Sequence, residues 1–563
     1  MKRILVLLVF CPLWISAQSN YATLNESYYH LIDRYEVMSG QVIPKLFTTV
    51  KPYKRSDIVA FLDSANQLGV FTSRADQFNL EYFQNDNWEW ARPQTNDSRK
   101  PVLKYFYRKK SDFLNVDKAP DFDLHVNPVL YLAGGKDSNA DDPLFINTRG
   151  VELRGMLDKK IGFYLYMADN QMRLPSYVAQ TVQDNSANGY YPVIPHEGFW
   201  KVFKENKGYD FLHTRGYVSF EATRHLSFQF GHDRFFIGNG QRSLIFSDHG
   251  PPSLFLKGNV KVWRLNYLFS LNRMVANVQG SASGLTGGGV KYPDKFVALH
   301  HLSINIGKKW NLGLFESVVF TDTSSFEWSY LNPIIFYRAI EQQFGSSDNV
   351  ILGMDFKWNA LKGVSVYGQF VLDEFVLDNI KDGNGWWANK YGIQAGVKYF
   401  NAFNVSNLDL QAETNIVRPY TYSHNSPYGN YTGYLQPIAH PLGSNFKEFI
   451  GIVRYQPIPR LNLTGKINMM MVGRDTTNVN WGSDILKKNS TREQDYENKI
   501  GQGVRNDILF ATVTASWQVR HNIFIDVSHV FRQSESPVPI YNTNTSVTSL
   551  ALRWNIAQRL YEF

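Results

Sequence analysis

Residues 408–416, LDLQAETNI, decide the fold of this chain, because apolar and polar residues alternate along them one for one. Successive side chains of a β-strand point to opposite faces, so a strand here has one apolar and one polar face. Such a strand suits a wall between lipid and water. The apolar face holds Leu408, Leu410, Ala412, Thr414 and Ile416, and the polar face holds Asp409, Gln411, Glu413 and Asn415.

The same period of two recurs elsewhere in the chain. Residues 461–471 and 509–519 repeat the contrast between an apolar and a polar face. Tyr391 and Tyr399 bracket another alternating stretch, as the aromatic girdles of a transmembrane barrel do. A further aromatic alternation consists of Trp263, Leu265, Tyr267 and Phe269.

Composition favours the same interpretation. The 563 residues are 44% hydrophobic and 15% aromatic, yet the mean hydropathy is negative. After Ile15 the sequence has no apolar run long enough for a membrane helix. High aromatic content without such a run is typical of a transmembrane β-barrel, whose lipid-facing and lumen-facing residues alternate. A large soluble β-protein is the alternative.

The spacing of the connections discriminates between these architectures. Short and long connections alternate, which is typical of an outer-membrane barrel with short periplasmic turns and long outer loops. Eight hairpins, an opening strand at 121–132 and a closing strand at 545–556 give about eighteen strands, with sixteen or twenty as alternatives. Phe563 fits the terminal aromatic of such barrels.

Short turns are expected near 158–160, 224, 271–272, 308, 361–362, 402–403, 457–459 and 521. Long loops are expected near 172–209, 236–258, 281–296, 322–347, 376–389, 418–445, 474–504 and 534–545.

The beginning of the chain indicates export. Lys2 and Arg3 precede a short apolar run at 4–15, and Ala17 is a small residue suited to cleavage. We therefore expect a signal peptide at 1–17. The single cysteine, Cys11, lies inside it, so the mature chain has no thiol chemistry and no disulfide.

Between the signal peptide and the strands, the period is helical. Apolar residues at Tyr28, Leu31, Ile32 and Tyr35 repeat at helical spacing, and residues 58–68 repeat the pattern. A third helix is expected from Ser73 to about residue 83, with Ser73 and Asp76 as its cap. We expect a helical bundle and linker at 18–120, on the periplasmic side, and the barrel at 121–563.

Residues 231–256, GHDRFFIGNGQRSLIFSDHGPPSLFL, interrupt this pattern of strands. Glycines and the pair Pro251–Pro252 break any regular ladder. Charged residues are costly in a lipid-facing wall, so this loop should fill the lumen or face water. The residues expected to shape it are Gly231, Asp233, Arg234, Gly238, Asn239, Gly240, Arg242, Ser247 and Asp248. For its charged members we expect an internal salt-bridge network.

Residues 231–248 also resemble the signature of the Wzi family of capsule-assembly proteins, in its Bacteroidetes-type branch. Similar stretches are NPIIFYRAIEQQFGSSDN at 332–349, YGQFVLDEF at 367–375, RPYTYSHNSPYGNY at 418–431 and AHPLGSNFKE at 439–448. This resemblance implies an outer-membrane barrel with a periplasmic helical bundle, acting as a lectin that attaches capsular polysaccharide to the cell surface. It implies no catalytic residues and no cofactor.

A polysaccharide site needs aromatic faces for sugar rings and planar polar groups for hydroxyls. Two long loops supply them, and the alternative is that these aromatics pack the loops together or mark the membrane interface. The candidate residues are Arg418, Tyr420, Tyr422, His424, Trp386 and Trp387. The expected partners are outer-membrane lipid and capsular or exopolysaccharide, bound by a monomeric barrel.

Other functions are weaker alternatives. A porin or transport channel would have the same barrel wall, so the sequence leaves this function as an alternative. A hydrolase at Ser247-Asp248-His249 is disfavoured, because adjacent residues do not form a triad and no Gly-x-Ser-x-Gly turn accompanies them. His300-His301 lacks metal spacing on a strand, where adjacent residues face opposite sides. The formal charge of +8 is slight for this length, so no nucleic-acid partner is expected.

Overall fold

The computed structural model describes residues 19–44, 46–118, 121–187, 193–203, 208–276, 293–321, 327–334, 336–344, 348–476 and 478–563. The expected signal peptide, 1–17, lies outside these ranges. Within them, none of the helices combines the length and the apolar character that a membrane crossing requires.

The first hundred described residues are mainly helical, and the three helices expected from the sequence are present. Asn25 caps the first helix by accepting hydrogen bonds from the N–H groups of Ser27 and Tyr28. Ser73 and Asp76 form the expected capping box of the third. The elements in chain order are α1 (Glu26–Ser39), β1 (Val50–Lys51), α2 (Arg55–Gln67), α3 (Arg74–Asp86), α4 (Trp88–Ala91), a 3-10 turn (Gln94–Asn96) and β2 (Leu114–Lys118).

Eighteen long strands of the described chain form a closed antiparallel barrel. They are β3 (Phe122–Asp137), β4 (Leu144–Leu157), β5 (Ile161–Arg173), β7 (Gly208–Glu221), β8 (Leu226–Asp233), β10 (Ser253–Val262), β11 (Leu265–Val275), β12 (Asp294–Ile306), β13 (Trp310–Thr321), β14 (Asn349–Leu361), β15 (Val364–Glu374), β16 (Lys390–Tyr399), β17 (Leu408–Val417), β20 (Phe446–Ile458), β21 (Leu461–Arg474), β22 (Val504–Arg520), β23 (Ile523–Glu535) and β24 (Thr543–Trp554). The ring closes where Leu550 of β24 lies opposite Gly134 of β3.

Smaller elements decorate the barrel. β2 pairs with the first residues of β3, and the short strand β6 (Lys201–Phe203) pairs with β7. β18 and β19 form a two-residue ladder with each other. Their bounds and those of the loop helices are α5 (Ser176–Ala187), β6 (Lys201–Phe203), β9 (Phe236–Ile237), a 3-10 helix (Trp328–Leu331), α6 (Tyr337–Phe344), α7 (Leu377–Lys381), β18 (Thr432–Gly433), β19 (Gln436–Pro437), and further 3-10 turns at Ala402–Asn404, Asn489–Thr491 and Pro539–Tyr541.

The two faces of the strands follow the sequence pattern. In β17, Asp409, Gln411, Glu413 and Asn415 are all buried and face the lumen. In β21 and β22 the apolar residues of the alternation face outward, where many of their side chains are exposed. The predicted barrel wall is therefore confirmed.

One predicted turn is wrong. The sequence suggested it near 271–272, but these residues lie inside β11, and the chain turns at Trp263 and Arg264 between β10 and β11. Trp263 has a φ of 53° and is 73% exposed. No glycine, proline or asparagine marks this turn, and the apolar alternation continues through both strands. The strand count is unaffected, because one short turn replaces another.

The end of the chain also differs from the prediction. β24 ends at Trp554, and residues 555–563 turn back into the barrel. Arg559 donates to Asn170 Oδ1 at 2.7 Å, and Tyr177 donates its hydroxyl proton to the carbonyl of Tyr561 at 2.7 Å. The Nε of Arg532 donates to the carbonyl of Phe563 at 2.9 Å. Phe563 is thus not a strand-terminal aromatic, and we call residues 555–563 the C-terminal tail.

Candidate functional site

Polypeptide enters the lumen from both ends of the barrel. We call the end with the short connections the turn end and the other the loop end. β1 lies between α1 and α2, in the part of the chain from α1 to α4 that we call the helical segment, at the turn end. β9 belongs to the loop between β8 and β10 at the loop end. The two pair in antiparallel fashion, with Val50 opposite Ile237 and Lys51 opposite Phe236. The two segments therefore meet inside the lumen and fill it there.

The helical segment is fastened to the barrel wall by buried charges on α1. Lys398 of β16 lies 2.5 Å from Asp33, and Lys357 of β14 pairs with Glu36. Arg34 pairs with Asp409 of β17. Burial alone would raise the pKa of Asp33, but Lys398 and Lys357 outweigh it and lower that pKa. The carboxylate therefore stays charged and holds α1 against the wall.

The loop from residue 234 to residue 252, which we call the plug loop, fills the lumen from the loop end. Phe235 and Phe246 stack with ring centroids 4.1 Å apart, and Leu244 and Ile245 are fully buried. Gln369 of β15 accepts from the N–H of Leu244 at 2.7 Å and donates to the carbonyl of Ile237 at 3.0 Å. A single wall amide thus satisfies two backbone groups of the buried loop.

Arg242 of the plug loop contacts the wall and the C-terminal tail. Its Nη2 lies 3.2 Å from Glu448 of β20 and 3.7 Å from Glu562. Glu413 of β17 accepts from the backbone N–H of Arg242 at 3.0 Å. His440 completes the group, with its Nε2 2.7 Å from Glu448.

Among the described residues, the charged side chains of the predicted network form no ion pair with one another. Asp233 lies 3.6 Å from Arg215 of β7, and Arg234 donates to the backbone carbonyl of Asp248 at 3.3 Å. The prediction of a network internal to the loop is therefore wrong in its pairings. The carboxylates that pair with Arg242 belong to β20 and to the C-terminal tail, which local sequence cannot indicate.

The glycines of the predicted loop-shaping set are closely surrounded by other residues. A Cβ on Gly238 would lie 2.9 Å from Gln369, and one on Gly240 would lie 2.5 Å from Glu413. A Cβ on Gly231 would lie 2.4 Å from Tyr217. These contacts are those of residues that shape the loop.

Two polar side chains tie the plug loop to its surroundings. Asn239 donates to Thr49 Oγ1 at 3.1 Å. Ser247 donates to the carbonyl of Ala439 at 2.5 Å and to that of Ile438 at 3.0 Å. The Ser247 hydroxyl thus contacts backbone groups, and these include the N–H of His249, which donates to it at 3.2 Å.

Two of the predicted sugar-binding residues are buried between loops. Tyr420 and Tyr422 are almost completely enclosed. Tyr420 donates to the carbonyl of Asn480 at 2.9 Å, and Tyr422 donates to that of Leu244 at 2.7 Å. Their rings pack the loops together, which was the alternative interpretation of these aromatics, and they offer no face to a glycan in this conformation.

The other candidates lie where three long loops meet at the loop end. Arg418 donates to the carbonyl of Trp386 at 3.4 Å and to that of Asn498 at 3.3 Å. The guanidinium of Arg492 lies over the ring of Trp387, with Cζ 4.1 Å from the ring centroid. His424 Nδ1 accepts from the N–H of Ser426 at 3.1 Å and so shapes its own turn.

Sequence reasoning missed two residues of this region, Arg492 and Tyr496. The ring of Tyr496 lies 4.9 Å from that of Trp386 and is 50% exposed. The only signal was an aromatic residue within a long polar connection that also contains Trp481. We call Trp386, Trp387, Arg418, Arg492 and Tyr496 the loop-end cluster.

Comparison with known proteins identifies the family. A family model described as capsule assembly protein Wzi matches residues 134–536. The chain belongs to this family. No curated protein matches the sequence.

Among solved structures, this Wzi-family chain is similar to Wzi of Escherichia coli, whose structure is described as that of a carbohydrate-binding β-barrel involved in group 1 capsule assembly. The two share 12% identity and a TM-score of 0.58, over 96% of this chain and 100% of that one. Two barrels of Pseudomonas aeruginosa match less well. OccK8 (OprE) shares 7% identity and a TM-score of 0.41, over 77% of this chain and 97% of that one. OprD shares 8% identity and a TM-score of 0.41, over 78% and 96%.

Four of the five sequence stretches that resemble the Wzi family meet at the plug. Leu244 of stretch 231–248 contacts Gln369 of stretch 367–375 and Tyr422 of stretch 418–431. Arg242 contacts Glu448 of stretch 439–448. The family signature of this Wzi-family barrel therefore coincides with the closure of its lumen. The fifth stretch, 332–349, lies elsewhere.

A cavity of about 350 Å³ remains inside the barrel of this Wzi-family chain. It lies between the start of α1, the plug loop and the C-terminal tail. Its lining carries both signs of charge, and examples are Glu26, Glu152, Arg215, Arg234 and Arg559. This mixed lining favours no particular charge in a ligand.

Proposed function

We propose that this Wzi-family barrel lies in the outer membrane and binds capsular or other surface polysaccharide at its loop end, helping to attach it to the cell surface. Family membership supports this proposal, as does the carbohydrate binding described for Wzi of Escherichia coli. The observation that carries it is the combination of a filled lumen with an aromatic and cationic cluster at the loop end.

The loop-end cluster has the chemistry that sugars require. Tyr496 is half exposed beside Trp386, so an aromatic face is available to the apolar side of a sugar ring. Arg492 lies close by and pairs with Asp495 at 2.6 Å. A guanidinium can bind the carboxylate of an acidic sugar in a bidentate manner. The proposed contacts are therefore Trp386, Tyr496 and Arg492, with Trp387 and Arg418 holding them in place.

The orientation follows from the lengths of the connections. Barrels of the outer membrane have long loops outside and short turns in the periplasm. The loop-end cluster then faces the cell surface, and both the helical segment and the beginning of the C-terminal tail lie on the periplasmic side. We propose residues 1–17 as a signal peptide, 18–120 as the helical bundle and linker, and 121–563 as the barrel. We also propose a monomeric barrel without enzymatic activity.

Two measurements test this function. The purified mature protein is immobilised and exposed to a panel of neutral and acidic capsular polysaccharides, and we expect retention of at least one of them. In cells, deletion of the gene should release capsule into the medium. Capsule that stays attached in the deletion strain, together with no retained polysaccharide, would contradict the proposal.

A further inference from the structure

Residues 327–334 and 336–344 lie against the outside of the barrel rather than over its mouth. They contain the 3-10 helix Trp328–Leu331 and helix α6. Tyr330, Tyr337 and Ile340 are buried in a separate apolar cluster, against which Leu271 of β11 also packs. Its other members come from β12, β13 and β14. Those wall residues are Ala298, Phe296, Val318, Phe320 and Val350. We call residues 327–334 and 336–344 the outer strap.

The alternation of the strands shows that the strap covers the outward face. Phe315 and Val319 of β13 belong to the cluster inside the lumen, whereas Val318 and Phe320, in the other phase of the strand, pack against the strap. Towards the turn end the same outward face becomes exposed, and Leu314 is 59% exposed. The strap therefore shields the loop-end half of this wall.

The strap also covers two polar residues that face outward. His300 and Glu316 lie opposite each other on β12 and β13, and both are buried. His300 Nδ1 lies 3.9 Å from Glu316 Oε2. Ionisable residues on the lipid face of a barrel are costly near the middle of the membrane. Left uncovered, this pair would destabilise the wall.

The strap supplies the partners of this pair. The backbone N–H of Arg338, in the first turn of α6, donates to Glu316 Oε1 at 3.0 Å. The ring of His300 lies 4.1 Å from that of Tyr337. A carboxylate at the N-terminus of a helix satisfies free N–H groups and suits the helix dipole. Glu316 and His300 thus fasten the strap to the wall.

The tip of the strap exposes two large apolar side chains, whereas Asn332 beside them and Arg338, Gln342 and Gln343 of α6 are exposed polar residues. Ile334 is 87% exposed and Phe336 is 73% exposed. The hydroxyl of Tyr267, near the turn-end start of β11, donates to the carbonyl of Pro333. Tyr267 lies opposite Leu302 of β12, which itself lies opposite Leu314 of β13. The tip of the strap therefore reaches the level of exposed apolar residues of the wall.

We propose that the tip of the outer strap is embedded in the outer leaflet of the membrane, where Ile334 and Phe336 contact lipid acyl chains. Lipid is the expected partner of this surface, because the tip of the strap continues the apolar outward surface of the wall that includes Leu314. This inference rests on the proposed membrane location. It assigns Ile334 and Phe336, which belong to a stretch that resembles the Wzi family, to the lipid interface rather than to glycan binding.

Cysteine labelling tests the proposal, since the only natural cysteine lies in the expected signal peptide. Single variants Ile334→Cys, Phe336→Cys, Leu314→Cys and Ile540→Cys are prepared in the mature chain and reconstituted into phosphatidylcholine vesicles. Ile540 is the control for water exposure, because it is 76% exposed in the loop before β24. Leu314 is the control for a lipid-facing wall residue.

We expect a membrane-impermeant maleimide to label Ile334→Cys and Phe336→Cys at least about tenfold more slowly than Ile540→Cys, since a thiol in apolar surroundings forms little thiolate. A fluorophore attached in detergent at residues 334, 336 and 314 should be quenched by lipids with a nitroxide on the acyl chain. If residue 314 is quenched and residue 334 is not, the strap lies in water and the inference is wrong. If residue 314 is not quenched either, the membrane location itself is contradicted.

A second pair of variants tests the fastening role of Glu316 in the Ile334→Cys background. Glu316→Leu removes the acceptor of the Arg338 N–H and leaves a lipid-compatible wall, so maleimide labelling at residue 334 should rise toward the rate at residue 540. Glu316→Gln retains a carbonyl acceptor and should keep the slow rate. Equal protection in both variants would contradict the proposed role of Glu316.

Discussion

Val50 and Ile237 lie opposite each other in the middle of the barrel, although one approaches from the turn end and the other from the loop end. Gly238 donates its N–H to the carbonyl of Thr49 at 2.8 Å, and Lys51 donates to the carbonyl of Gly238 at 3.2 Å. The backbone groups of the two segments thus satisfy each other inside the lumen. This meeting point joins the helical segment to the plug loop and has direct consequences for transport, stability and pH dependence.

The first consequence concerns transport. The purified protein in planar lipid bilayers should show no large, regular conductance steps, because the lumen is filled by these two segments. Replacing residues 235–248 with a short Gly-Ser linker should produce such steps. Large steady steps from the unaltered protein would favour the porin alternative.

Arg242 should be important for stability. Arg242→Ala leaves Glu448 buried without its cationic partner, and loss of one member of a buried pair costs about 3–5 kcal/mol. Arg505→Ala is the matched control, because Arg505 pairs with Asp507 at the surface, where such a pair contributes less than about 1 kcal/mol. Urea unfolding in detergent or vesicles measures both. Similar losses for the two variants would contradict the structural role of Arg242.

The plug should loosen in acid, and His196 provides the test. This residue lies in the loop between β5 and β7, and its Nδ1 is 2.9 Å from the backbone carbonyl of His249 in the plug loop. Burial, followed by the nearby Arg234, lowers the pKa of His196 to about 4. Because this folded-state pKa lies below the ordinary value, stability is complete above about pH 6.5 and is lost progressively as the pH falls toward 4. At about 1.4 kcal/mol per unit of pKa, this loss is at most on the order of 3 kcal/mol.

Substitution of His196 separates this contribution from the others. Burial and the neighbouring His196 also lower the pKa of His249, so other acid-sensitive groups remain in the variant. His196→Gln should therefore reduce, but not abolish, the fall in melting temperature between pH 7 and pH 4. Parallel melting curves for the two proteins across this range would show that His196 contributes nothing to the pH dependence.

Much of the wall was predictable because it depends on local alternation. Asp409 and Glu413 face the lumen as their position between apolar neighbours indicates, and Ser73 caps α3 as its residue type indicates. The turn at Trp263 was not predictable, since no turn-forming residue interrupts the two strands that it joins.

Features that depend on distant partners were beyond the sequence. Nothing near Arg242 indicates that its carboxylates are Glu448 and Glu562. Tyr420 and Tyr496 are both tyrosines in long polar loops, yet one is enclosed and the other is half exposed. Only the packing of three loops decides which of them can meet a sugar.

The central claim is that polysaccharide binds at the loop-end cluster, and the affinity of the double variant Trp386→Ala with Tyr496→Ala tests it most directly. The control is Tyr105→Ala, which removes an exposed aromatic from the segment before β2. Using the polysaccharide that the unaltered protein retains, we expect the double variant to bind about tenfold or more weakly, since loss of about 1.4 kcal/mol corresponds to a factor of ten. The control should bind normally. Unchanged affinity of the double variant, with its barrel intact, would contradict the claim.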